Sequence, residues 1–99
     1  MDLFEPTPGK VNAWAAKGNV KKLLGSLTSS DAVIRELSVE GLASIGSPEV
    51  LQYCRENADS ADDIVRWDIT RILGLIGTAE AIKILETVRE KKINYKPQG

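Results

Sequence analysis

Histidine is absent from this 99-residue chain, cysteine occurs once, and the only aromatic side chains are two tryptophans, two tyrosines and one phenylalanine. Each shortage closes a class of chemistry. Without histidine the commonest general base and metal ligand is missing, which excludes Ser-His-Asp and Cys-His nucleophiles and carboxylate–histidine metal centres. A lone Cys54 can build neither an internal disulfide nor a thiolate metal cluster. It sits in an apolar pattern at helical spacing and reads as a buried, reduced thiol, which favours the cytoplasm. No apolar run reaches the roughly 18 residues of a membrane span. No charged-then-apolar segment opens the chain at Met1-Asp2-Leu3-Phe4-Glu5-Pro6, so a soluble chain without a leader is expected.

Net charge is also nearly absent: 13 basic and 14 acidic side chains leave −1. That balance argues against a strongly basic nucleic-acid binder. The charges are nonetheless unevenly spread. Residues 10–30 carry Lys10, Lys17, Lys21 and Lys22 and no acid, whereas residues 31–63 hold eight acids against Arg35 and Arg55. Solvated faces account for this pattern, and a charge-steered partner is the alternative.

What the chain does have is an internal repeat. Residues Asp31 to Leu51 align without a gap on residues Asp62 to Ile82, a step of 31. Identities fall at Asp31/Asp62, Arg35/Arg66, Leu42/Leu73, Ile45/Ile76, Gly46/Gly77 and Glu49/Glu80. The step reaches backwards too, placing Val11 under Leu42, Trp14 under Ile45, Val20 under Leu51 and Leu23 under Cys54. Three units follow, at about 9–29, 30–60 and 61–92, with 93–99 as a tail of one domain. The first unit is incomplete, as terminal units of a solenoid are, and Trp14 supplies apolar area that missing turns would have buried.

Within a unit the period is helical. Ile34, Ser38, Gly41, Leu42 and Ile45 share one face, as do Val65, Ile69, Ile72, Leu73 and Ile76. Asp31 and Asp62 stand as N-caps, Gly46 and Gly77 as left-handed helix stops, and Pro48 suits a first helical turn. The pattern predicts first helices at 9–17, 31–45 and 62–76 and second helices at 19–27, 48–57 and 79–92, with no strand. Gly41, Ala43 and Gly74 are expected where helices approach closely. The fold class is all-α: an α-solenoid of about three helical hairpins, six helices.

The runs from Ile34-Arg35 to Ile45-Gly46 and from Val65-Arg66 to Ile76-Gly77 resemble the short HEAT-like repeats also called phycobilisome-lyase-like. Departures are Ser38, Gly41 and Ala43 in unit two and Thr70, Ile72 and the pair Trp67-Asp68 in unit three. The resemblance implies a right-handed α-α superhelix whose second helices line a concave face that binds partners.

Other candidate sites read more simply as structure. Asp59, Asp62 and Asp63 cluster in a turn but lack the glycine-turned spacing of a calcium loop. Arg35 and Arg66 recur in register, so each is expected to reach a carboxylate or a helix-end carbonyl near Asp31 or Asp62. No cofactor or metal is expected.

Two surfaces are candidates for a partner. With Val20, Leu23, Leu27, Leu51, Cys54, Ile82, Leu85 and Val88 turned inward, the second helices present the outward rows Lys21/Gln52/Lys83, Lys22/Tyr53/Ile84 and Leu24/Arg55/Glu86. The blend of Lys21, Lys22, Gln52, Tyr53, Arg55, Lys83 and Ile84 suits an acidic or amphipathic peptide, unless Tyr53 and Ile84 pack between adjacent helices. The second surface is the stripe Ile64, Trp67 and Leu75, whose counterparts one unit earlier are Val33, Glu36 and Ser44. Ile93 and Tyr95 of the tail would cover that end, or a second copy or another protein would. The function expected is a noncatalytic protein-interaction scaffold. An accessory role related to bilin lyases is the alternative, and a third reading is nucleic-acid binding by the basic second-helix row Lys21/Gln52/Lys83, in the manner of HEAT-like DNA glycosylases, whose aromatic and acidic residues Trp67 and Asp68 resemble.

Overall fold

In the computed structural model, which describes residues 5–94 and side chains as far as Val88, every regular element is an α-helix. They are α1 (Pro8–Ala16), α2 (Val20–Ser26), α3 (Ala32–Ile45), α4 (Pro48–Glu56), α5 (Asp63–Ile76) and α6 (Ala79–Asn94). The predicted helices are all present, displaced by a residue or two at their ends; α3 and α5 start one residue late because Asp31 and Asp62 cap them from outside.

The ends are set by local chemistry. Asp31 Oδ1 accepts the Val33 N–H at 2.9 Å and Asp62 Oδ1 that of Ile64 at 2.8 Å, and the two residues share the same backbone angles, φ −83° and ψ 116°. Such a side-chain cap satisfies a donor that the helix itself leaves free. Gly46 and Gly77 close α3 and α5 at φ 54° and 68°, where an L side chain is strained, and donate to the carbonyls of Leu42 and Leu73.

One feature recurs through three residues in units two and three. Ser29 Oγ accepts the Asp31 N–H at 3.1 Å, and Arg35 Nη1 donates to the Ser29 carbonyl at 2.9 Å. Thirty-one residues on, Ser60 Oγ accepts the Asp62 N–H at 3.1 Å and Arg66 Nη1 donates to the Ser60 carbonyl, while Arg66 also pairs with Asp63. The recurring arginines therefore bind the turn before their own helix, as their register predicts. The two serines complete the clasp.

First helices pack in a row, α1 on α3 and α3 on α5, with α2 against α3 and α6 against α5; α4 meets α3, α5 and α6. The Cα envelope measures 42 × 32 × 17 Å, the thickness of two helix layers. Its core runs from Val11 and Leu23 through Ile34, Leu42, Val50 and Cys54 to Ile69, Ile72, Leu73 and Val88. Ser38, where unit three has Ile69, is buried with Ser26 of α2, their hydroxyl oxygens 2.5 Å apart and each within reach of a carbonyl of its own helix. Burial pushes the Cys54 thiol up to about 12, so it behaves as a small apolar side chain.

Two expectations are corrected. A Cβ on Gly41 would lie 3.0 Å from the Ala15 Cβ, so α1 and α3 do approach closely there, but a Cβ on Gly74 would meet nothing within 4 Å. Gly74 is exposed because no helix among the described residues lies across from it. The second correction concerns the phase of α6. Ile84 is buried at 6% exposure and Ile82 is 39% exposed, the reverse of the prediction. Helix α6 buries Ala81, Ile84, Leu85 and Val88, spaced i, i+3, i+4 and i+7, whereas α4 buries Val50, Leu51 and Cys54. Following its own apolar stripe hides more area than keeping strict register with α4.

Candidate functional site

Helices α3 and α5 pack side by side, each start fixed by its own arginine clasp, so side chains from their N-terminal halves face one another across a groove. Its volume is about 530 Å³. Helix α3 contributes Ala32, Arg35 and Glu36, and α5 contributes Asp63, Ile64, Arg66, Trp67, Asp68 and Arg71. Ile64 and Trp67 form its apolar wall, 55% and 57% exposed. Apolar side chains that stay this open beside a cavity are the raw material of an interface.

Three arginines and three acids line the groove, so its formal charges cancel. Arg71 of α5 reaches across to the Glu36 carboxylate on α3. That bond holds the Glu36 carboxyl below its usual range and raises the guanidinium in turn, the Glu36 hydrogen bond being the largest cause on both sides. Arg66 pairs with Asp63. Asp68 differs from the other acids: it is 6% exposed and accepts no hydrogen bond from the described residues. Loss of water raises its carboxyl above the ordinary value, and nearby Arg35 and Arg71 offset that only in part.

A second cavity of about 340 Å³ adjoins the first, beneath the α2–α3 turn, lined by Leu27, Ser29, Tyr53, Asp62 and Val65 among others. Arg35, Ile64 and Asp68 line both. Tyr53 is half-buried here, its phenol raised first by burial and then by Cys54 and the carboxylates of Asp68 and Asp62.

The two surfaces expected from the sequence fare differently. On the second helices, Lys21, Lys22, Gln52, Arg55 and Lys83 are exposed as predicted. Lys22 Nζ lies 5.9 Å from the centre of the Trp14 ring, and Arg55 is engaged by Gln52 and by Glu80 of α6. Ile84, however, forms part of the floor beneath Arg55, Glu80 and Lys83, and Tyr53 faces the inner cavity. The mixed row Lys22/Tyr53/Ile84 is therefore not presented as one outward surface, because two of its three members pack inward. The stripe Ile64, Trp67 and Leu75 is exposed as predicted, Leu75 at 58%. Ile64 and Trp67 join the groove and Leu75 lies apart from it. The side chains of Ile93 and Tyr95 lie outside the described residues.

Sequence reasoning marked Asp68 as half of the pair Trp67-Asp68 but did not place it, Glu36 or Arg71 in a groove, although Asp68 left a signal. It stands where unit two has Leu37, a charge in a partly buried apolar position of the repeat.

Among known proteins, the family model described as HEAT repeats matches residues 20–94, most of the chain. No curated protein matches, and no solved structure does.

Proposed function

This chain belongs to the HEAT-repeat family, and we propose on that premise that it is a noncatalytic protein-binding module whose partner docks in the groove between α3 and α5. The observation that carries the reading is the exposure of Ile64 and Trp67 on the wall of a cavity of about 530 Å³ that is otherwise lined by charge. Apolar anchors ringed by polar side chains suit an amphipathic peptide, which would bury its apolar residues on Ile64 and Trp67. This moves the binding face from the second helices to the first. A cytoplasmic setting is part of the proposal and draws on the single buried thiol of Cys54.

Capture from a native lysate tests it, comparing the wild-type chain with the double variant Ile64→Ser, Trp67→Ser. The expected result is one or more proteins retained by the wild type and lost by the variant. Retention unchanged in the variant, or sustained turnover of a substrate by the purified chain, contradicts it.

A second reading rests on the resemblance to phycobilisome-lyase-like repeats, and the groove's volume falls in the range of about 300–1,000 Å³ typical of small-molecule sites. An open-chain tetrapyrrole bound there would change its absorbance spectrum. An unchanged spectrum on mixing removes this alternative.

A further inference from the structure

A carboxylate taken out of water destabilises a fold unless a cation or hydrogen-bond donors meet it. Asp68, 6% exposed, accepts no hydrogen bond from the described residues, and the charges of Arg35 and Arg71 offset its loss of water only in part. The equivalent position in unit two holds Leu37, packed against the core, so the scaffold does not need an acid there. A residue that weakens its own domain, at a position where a leucine serves elsewhere in the same chain, has a use outside folding.

The neighbouring charges narrow what that use is. Of the three arginines on the groove, Arg66 is paired with Asp63 and Arg71 with Glu36. Arg35 makes one hydrogen bond, from Nη1 to the Ser29 carbonyl, and its remaining donors meet no acceptor among the described residues. Once the pairs are set aside, one acceptor-only group and one donor-only group remain, Asp68 and Arg35. Both line the groove and the adjoining cavity, and Ile64 lines both with them.

An occupant bearing only a positive charge would satisfy Asp68 and face Arg35, and one bearing only a negative charge would do the reverse. The complementary group is uncharged and carries a donor and an acceptor side by side, as a carboxamide does. Resting on the protein-binding reading above, we infer that the groove recognises an asparagine or glutamine side chain of a partner peptide, its NH₂ donating to Asp68 and its carbonyl accepting from Arg35. An apolar neighbour in the same peptide lies against Ile64 and Trp67. Specificity arises because a peptide lacking the amide leaves buried Asp68 and half-buried Arg35 without that hydrogen-bond partner.

Panning a phage-displayed random-peptide library on the full-length chain, followed by affinity measurement on the enriched peptides, tests the inference. The enriched peptides are expected to share an asparagine or glutamine next to an apolar residue. Asp68→Leu should weaken their binding by about tenfold or more, the usual scale for a hydrogen bond to a charged group. Replacing the shared amide residue by alanine in the peptide should cost as much, and the two changes together little more than either alone. Arg35→Gln gives an independent check, and thermal melting of each variant separates lost binding from lost folding.

Enrichment of lysine or arginine at the shared position, or of aspartate or glutamate, overturns the inference. So does recovery of no peptide at all, the capture experiment then deciding the protein-binding reading alone. Enriched peptides that bind Asp68→Leu as tightly as the wild type overturn the amide site while leaving the protein-binding reading intact.

Discussion

Units two and three are built on one plan and end with different surfaces. Where they agree, the residues hold the scaffold: the clasps Ser29-Asp31-Arg35 and Ser60-Asp62-Arg66, the stops Gly46 and Gly77, and the buried pair Leu42 and Leu73. Where they differ on the first helices, some changes repack the core, as Ser38 to Ile69 and Gly41 to Ile72 do, and others face the groove or the surface. Glu36 becomes Trp67, Leu37 becomes Asp68, Glu40 becomes Arg71 and Ser44 becomes Leu75. The first three of these residues of α5 line the groove. The comparison teaches that shared positions report on folding, and that the unshared positions outside the core report on what the fold presents.

The comparison breaks most severely at a shared core position. Leu73→Ala should lower stability by about 2–5 kcal/mol in urea denaturation, because Leu73 is fully buried and the cavity left behind adds to the lost transfer energy. Leu42→Ala should fall in the same range. A loss at one leucine and none at its counterpart would mean the units are not equivalent in packing.

Making unit three resemble unit two at an unshared position should act in the opposite direction. Asp68→Leu should raise stability at neutral pH by about 1–3 kcal/mol by removing a desolvated charge that no hydrogen bond among the described residues meets. Its pH dependence is the sharper signature. The carboxyl is raised in the folded state by burial, with Arg35 and Arg71 opposing and Asp62 and Glu36 adding to the shift. The folded state therefore holds the proton more tightly, and Asp68's contribution is fully present below the ordinary aspartate pKa of about 3.9 and lost as pH rises through the folded value. Wild type should lose this increment across that window, whereas Asp68→Leu should not, as measured by chemical denaturation at a series of pH values.

Much of the scaffold was legible because its signals are local. An aspartate cap, a glycine at positive φ and an apolar stripe at helical spacing each act within a few residues, so α1 to α6 lie close to where the pattern predicts them. Features that depend on what lies across from a residue were not legible. Gly41 and Gly74 look alike in sequence, but only Gly41 has a helix opposite, with Ala15 at 3.0 Å from its missing Cβ. Ile84 is buried and Ile82 exposed because α6 turns its own stripe toward the core instead of keeping register with α4. The groove required both kinds of information. Trp67 and Ile64 showed as an extra apolar stripe, but the meeting of Arg35 with Asp68 exists only once α3 and α5 are packed together.

Smaller effects sharpen the contrast between the units. Gly74→Ala should stabilise by about 0.5–1 kcal/mol, since the site is open and helical and alanine restores the residue type that unit two has at Ala43. Gly41→Ala should not stabilise, its methyl meeting Ala15. A differential melt of the two variants checks both signs. Gln52→Ala, on an exposed face where Gln52 bonds Glu56 and Arg55, should change stability by less than about 0.5 kcal/mol.

Exchanging the distinctive pair of unit three for that of unit two tests the binding claim most directly. In the double variant Trp67→Glu, Asp68→Leu, calorimetric titration with a protein captured by the wild-type chain should show affinity weakened by about tenfold or more, while the variant melts no lower than the wild type. Unchanged affinity in a folded variant would contradict the assignment of the groove between α3 and α5 as the binding site.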